Sequence, residues 1–280
     1  MIETEHRETE HLIHKYLRST KKFPSVWCPG CGIGIFMNAL IRVIDQAGYS
    51  KDDIVLVSGI GCSGRLPVYV DFNTLHTTHG RALTFATGIK MVKPHLKVIV
   101  VMGDGDAASI GGNHLIHAAR RNVDITSFVL NNQVYGMTGG QLSPTTPYGV
   151  PTVSSPYGNL EPSFDICRLV EAAGASFVAR STVYHTRLME RLMHDALNKK
   201  GFSVVEIVTQ CVIFGGRWRG MEAAVPMMNW QKENAITVEK AKEVSEKELE
   251  GKIVIGTLID REKPVYNEEY RKLLTEKLKV

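Results

Sequence analysis

The run KVIVVMGDGDAASIGGNH at 97–114 opens on five consecutive apolar residues, Val98 to Met102, and then turns through Gly103, Asp104 and Gly105. Continuous rather than alternating hydrophobicity marks a strand buried on both faces. A helical pattern at 112–121 follows, so the Gly-Asp-Gly turn lies at the carboxyl end of a strand, where open α/β sheets place their ligands. The two glycines let backbone approach a phosphate, the helix N-terminus favours an anion, and Asp104 offers a hard oxygen ligand. A second run, DITSFVLNN at 124–132, ends in Asn131 and Asn132. Asn132 follows Asp104 by 28 positions, about one helix and one strand, so a right-handed crossover delivers both side chains to one edge. From there they reach a single Mg2+ that also binds a diphosphate.

The same rhythm extends outward in both directions. Apolar runs of strand length at 53–59, 175–180 and 202–210 alternate with helical patterns at 33–47, 81–93, 163–173 and 184–200. The expected fold is α/β, a parallel sheet flanked by helices. The stretch 137–162 is rich in glycine, proline, serine and threonine and too long for a plain connection, which marks a functional loop. Beyond about residue 230 the charged segment reads as surface helix and a terminal arm. The expected organisation is therefore a 1–230 cofactor-binding domain and a 231–280 C-terminal extension, packed on that domain or on a partner.

Composition limits the function classes. The 280 residues are 44% hydrophobic, enough for one large core or two modest ones. The net charge of +4 arises from 33 basic and 29 acidic residues with no basic block, so a nucleic-acid footprint is not indicated. The N-terminal 22 residues lack the apolar region of a signal peptide and no later run is long enough to span a membrane, which predicts a cytoplasmic chain without membrane contact. Cysteines in that compartment stay reduced, so a spatial cluster of them reads as metal-binding or catalytic.

Asp104 and Asn132, each behind a strand and with a helix between them, resemble the thiamine diphosphate motif, GDG followed at this kind of spacing by NN. The resemblance implies that Asp104, the Asn132 side chain and the Val134 carbonyl hold Mg2+. It implies further that Gly61, Gly103, Gly105, Asp106, Gly136, Thr138 and Gly139 line the cofactor.

Two of the five cysteines follow the same strand-end logic, and two more lie in a turn ahead of a helix. Cys28 and Cys31 lie in VWCPGCGIG (26–34), a C-x-x-C turn that alone fits a redox disulfide, half a zinc site or half an iron-sulfur site. Cys62 falls just past the strand at 53–59 and Cys211 just past that at 202–210, so four thiols converge on one sheet edge. Spacing allows either zinc or a cluster. Cys167, on the apolar face of a helix, reads as a core residue.

Taken together, CPGCG, GIGCSGR, HTTHGRALTFATGIK, GDGDAASIGGNH and NNQVYGMTGGQLSPTT resemble the beta subunit of the 2-oxoacid:ferredoxin oxidoreductases over nearly the whole chain. GGRWRGMEAAVPMMNWQKENAI and IGTLIDREKPVY resemble 2-oxoglutarate-type members more than pyruvate-type ones. The resemblance implies thiamine diphosphate, Mg2+ and a 4Fe-4S cluster on Cys28, Cys31, Cys62 and Cys211. It implies oxidative decarboxylation of a 2-oxoacid with coenzyme A to acyl-CoA and CO2, the electrons passing to ferredoxin. It also implies a partner alpha subunit, because the carboxylate that activates the cofactor comes from a second domain not found among these 280 residues.

Three side chains near the motifs are candidate catalytic groups: Arg65 for a substrate carboxylate, and His79 and Arg81 at the head of a helix. Arg217 and Arg219, beside Trp218, read as exposed charge, the other reading being a partner surface or a coenzyme A approach. Two alternatives stay open. One is the same chemistry on pyruvate, branched-chain or aryl 2-oxoacids; the other is a non-redox thiamine-binding partner protein with a structural zinc.

Overall fold

The computed structural model describes residues 12–20 and 23–278. The N-terminal segment read above falls outside the described residues up to 11 and again at 21 and 22, and the Trp218 side chain is not described. Ten helices and eight strands are described. The helices are α1 (Leu12–Tyr16), α2 (Gly32–Ala47), α3 (Ala82–Val92), α4 (Gly112–Arg121), α5 (Ile166–Ala173), α6 (Thr186–Asn198), α7 (Ala224–Asn234), α8 (Val238–Ala241), α9 (Glu246–Leu249) and α10 (Tyr266–Leu278). The strands are β1 (Ile54–Ser58), β2 (Asn73–His76), β3 (Lys97–Gly103), β4 (Thr126–Asn131), β5 (Phe177–Thr182), β6 (Ser203–Val208), β7 (Ala235–Thr237) and β8 (Ile253–Asp260).

The strands form one sheet in the order β2-β1-β3-β4-β6-β5-β8-β7, and β1 to β6 are all parallel. Their continuous hydrophobicity has a plain cause. Leu56, Ile99, Val101, Phe128, Leu130, Val205 and Ile207 pack on one face against α2 and α6, while Val55, Val57, Val98, Val100, Val129 and Val204 pack on the other against α3, α4 and α5. Each such side chain, fully buried, contributes about 1.5–3 kcal/mol. Phe36 of α2 meets Phe128 edge-on at 5.6 Å, which fixes that helix over the centre of the sheet.

Register puts the functional edge in line. Val101 pairs with both Ser58 and Phe128, Gly103 with Leu130, and Asn131 with Val208. The residues that follow β1, β3, β4 and β6 therefore leave the sheet side by side.

Three strands depart from the sequence reading. β2 is a four-residue, polar, largely exposed edge strand, with too little apolar pattern to be seen. β7 and β8 lie where only surface helix and a terminal arm were expected. β8 pairs antiparallel with β5, and β7 pairs parallel with β8. The charged flanks of β8 suggested helix; its IVIGTLID run supplies the strand, with Ile255 buried. The expected surface helix is present beyond it, as α10.

Candidate functional site

A cleft of about 120 Å³ opens at this edge, lined by Gly61, Cys62, His79, Gly103, Asp104, Gly105, Asp106, Asn132, Val134, Gly136 and Thr138, together with Ile60, Ser63, Tyr135 and Met137. Local backbone chemistry shapes it. After Gly103 the chain makes one wide helical turn, Asp106–Ile110, before α4, and such turns are common at functional sites. Gly105 is required there, since a Cβ would fall 2.3 Å from the Tyr135 ring. Opposite, Gln133 adopts φ +62° beside Asn132, whose Oδ1 accepts the Val134 N–H at 3.3 Å.

Asp104 is 2% exposed and has no basic partner among the described residues. Its Oδ2 accepts the hydroxyls of Ser143 and Thr145, each at 2.6 Å. Burial pushes the carboxyl up, against the downward pull of those two hydroxyls. A buried carboxylate without a cation is costly, so the oxygen-rich set of Asp104, Asn132 and the Val134 carbonyl fits a hard divalent ion.

Asp106 is also buried, and burial raises its carboxyl. Its Oδ1 accepts the Gly80 N–H at 2.6 Å and lies 2.5 Å from Nδ1 of His79. With the carboxylate accepting, Nδ1 of His79 is the donor of this pair. The ring meets Tyr135 edge-on at 6.1 Å.

The thiols converge behind the same cleft. A Cβ on Gly136 would stand 3.4 Å from Cys211 Sγ and 3.6 Å from Cys62 Sγ, so both sulfurs face the backbone of the loop that follows β4. Burial, reinforced by repulsion from Cys62, Cys211 and Cys28, pushes the Cys31 thiol up to about 12. Burial, with Cys211 and Cys28, takes Cys62 to about 11. Four sulfurs that repel one another as thiolates fit a bound cationic centre, which would stabilise the deprotonated forms. Trp27 donates its indole N–H to the Cys62 carbonyl at 2.8 Å, drawing the Cys28 turn toward Cys62.

Not every candidate joins this cleft. Arg65 is exposed on the turn Ser63–Val68 and Arg81 meets His114 at the surface; neither lines it, nor does Gly139. Arg219, read as exposed charge, is half-buried. Its guanidinium bonds Gln133 Oε1 and lies 5.7 Å from the Trp230 ring, and burial lowers its pKa. Cys167 is buried as expected, with Sγ 3.2 Å from Glu206 Oε2.

Sequence reasoning missed the network beneath the cleft. Glu206, 2% exposed, accepts from Asn131 Nδ2 and from Arg180 Nε, each at 2.7 Å, and Asn131 Oδ1 faces Thr145 Oγ1 at 2.9 Å. A charged residue in the apolar strand FSVVEIV was the available signal. Ser143 and Thr145 lie in the loop identified as functional, but nothing in one sequence pairs them with Asp104.

Comparison with known proteins gives the family. The family described as thiamine pyrophosphate enzyme, C-terminal TPP binding domain, matches residues 59–207. The 2-oxoglutarate synthase subunit KorB of Methanocaldococcus jannaschii is 48% identical over 96% of this chain and 99% of its own length. The KorB subunit of Archaeoglobus fulgidus is 59% identical over 70% of this chain and 73% of its own length. The chain is a beta subunit of the 2-oxoacid:ferredoxin oxidoreductase family. A solved structure of the 2-oxoglutarate:ferredoxin oxidoreductase of Magnetococcus marinus, with 2-oxoglutarate, coenzyme A and succinyl-CoA bound, superposes on this beta subunit with a TM-score of 0.85. The two are 30% identical, over 100% of this chain and 94% of that one. Membership in the oxidoreductase family makes the chain part of an enzyme. No described helix of this beta subunit is long and apolar enough to cross a membrane.

Proposed function

We propose that this beta subunit binds thiamine diphosphate, Mg2+ and a 4Fe-4S cluster, and takes part in the oxidative decarboxylation of 2-oxoglutarate with coenzyme A to acyl-CoA and CO2, reducing ferredoxin. The observation that carries the reading is the approach of the Cys62 and Cys211 sulfurs to Gly136, in the loop that would hold the diphosphate. Relatives named for 2-oxoglutarate and a similar structure holding it support that 2-oxoacid over pyruvate, branched-chain or aryl ones.

Thiamine diphosphate supplies an electron sink for decarboxylation, and a thiolate-bound iron-sulfur centre accepts electrons that zinc cannot. The chain's residues have separate tasks. Asp104, Asn132 and the Val134 carbonyl hold Mg2+; Gly61, Gly103, Gly105, Asp106, Gly136 and Thr138 shape the bed of the cofactor, and Gly139, outside the cleft, follows Thr138 in the same loop. His79 is held at the cleft wall by Asp106 through Nδ1. Arg65 and Arg81, exposed outside the cleft, are assigned to anionic substrate groups. Residues 1–230 form the cofactor-binding unit, and 231–280 are a C-terminal extension that packs on it through β8.

The cleft is well below the roughly 300–1,000 Å³ of a typical ligand pocket, which supports a site completed by an alpha subunit. The chain alone is expected to show no turnover, and co-purification with that partner should restore it in the cytoplasmic enzyme. Iron, acid-labile sulfide and zinc per chain after anaerobic purification, with and without the partner, provide the test. About four iron and four sulfide sustain the reading; about one zinc and no sulfide in both preparations ends the electron-transfer part.

A further inference from the structure

We propose that Gln210, held in turn by Gln231 of α7, is a positioning residue that sets the Cys28–Cys31 turn against Cys211. This rests on the reading of the four thiols as ligands of one centre.

Both glutamines are 2% exposed. Gln210 Nε2 donates to the Gly30 carbonyl at 2.9 Å, inside the Cys28–Cys31 turn, and Gln210 is bonded in the chain to Cys211. Its Oε1 accepts from Gln231 Nε2 at 3.1 Å, and Gln231 Oε1 accepts the Tyr184 N–H at 3.2 Å. The direction of this relay is fixed at both ends. A backbone N–H can only donate and a backbone carbonyl can only accept, so each amide has one permitted orientation. Buried amides satisfied in this way hold their neighbours rigidly, and a missing donor leaves a buried carbonyl unpaired.

Packing adds a second constraint. Gly30 adopts φ +81°, and a Cβ there would fall 2.6 Å from the Ala224 Cβ at the start of α7; a Cβ on Gly32 would fall 2.0 Å from Thr209 Oγ1. The turn that carries Cys28 and Cys31 is thus seated between α7 and the Thr209-Gln210 segment, with no room to slide. α7 makes no strong apolar stripe, and its two buried residues are Met227 and Gln231. Its role is to bring Gln231 and Ala224 to the turn.

The test uses the assembled enzyme, purified anaerobically, with Gln210→Leu and Gln210→Glu beside the wild type. The second substitution keeps the side-chain shape, but its carboxylate cannot donate to the Gly30 carbonyl. The readouts are iron release to a ferrous chelator, the electron paramagnetic resonance spectrum of the reduced protein and the melting temperature of the iron-free form. Removing a group that braces metal ligands from behind weakens binding roughly 10–100-fold, so iron release is expected to quicken about tenfold, with an altered spectrum, in both variants. Gln231→Leu, which removes only the outer glutamine, is expected to give a smaller change in the same direction and serves if the Gln210 variants are not recovered folded. Wild-type release and spectrum in any recovered variant, even with a lowered melting temperature, overturn the proposal. A wild type without iron and sulfide overturns the cluster reading itself, a separate outcome.

Discussion

Asp104 is a carboxylate that the fold buries without a basic neighbour among the described residues and steadies with two hydroxyls, Ser143 and Thr145. Its place in a Gly-Asp-Gly turn was legible from composition and spacing. Its two hydroxyl donors were not, because residues about 40 positions downstream meet it only through the folded loop. Thr145→Val keeps the shape and removes the hydrogen bond. Affinity for Mg2+ and thiamine diphosphate in the assembled enzyme is expected to fall roughly tenfold, measured by calorimetric titration; unchanged affinity would show that the hydroxyl serves folding alone. Gly136→Ala tests the approach of sulfur to the loop that would hold the diphosphate. The added methyl lies 3.4 and 3.6 Å from two sulfurs, so the melting temperature of the metal-free chain should hold while iron and sulfide content drops, as read by metal and sulfide analysis.

β6 delivers a charge into the core as well as a cysteine to the sheet edge. Glu206 pairs with Arg180 of β5 at 2.7 Å and with Asn131 of β4, and Arg180 reaches Asp165 at 2.5 Å, where Asp165 caps α5 through the Arg168 N–H. One buried carboxylate thus ties three adjacent strands beneath the cofactor edge. Glu206→Gln leaves Arg180 short of a buried counter-charge, and breaking a buried pair costs roughly 3–5 kcal/mol. A drop of that order in denaturant unfolding is expected, against little change for the exposed pair Lys272–Glu269. At this scale the long apolar strands and amphipathic helices were plain in the sequence. β2, β7 and β8 were not, since short or half-buried strands carry weak periodicity and take their stability from the strand beside them.

Across the whole molecule, β8 closes the β5 side of the sheet and carries β7 beyond it. A chain ending at residue 250 would uncover the β5 edge, a template for strand addition. That truncation is expected to yield aggregated protein, checked by size-exclusion chromatography, whereas ending the chain at residue 265, which removes α10 alone, should leave a folded and largely monodisperse product. The sequence by itself determined the alternation of strands and helices, the strand ends that carry Asp104, Asn132, Cys62 and Cys211, and the chemistry those residue types can support, because each is written in local pattern and short spacing. Only the tertiary structure decided which hydroxyls steady Asp104, that Glu206 and Arg180 share the core, that Arg219 turns inward, and that two glutamines hold the cysteine turn. Those are contacts between segments distant in the chain, and they exist only once the sheet register has brought its edges together.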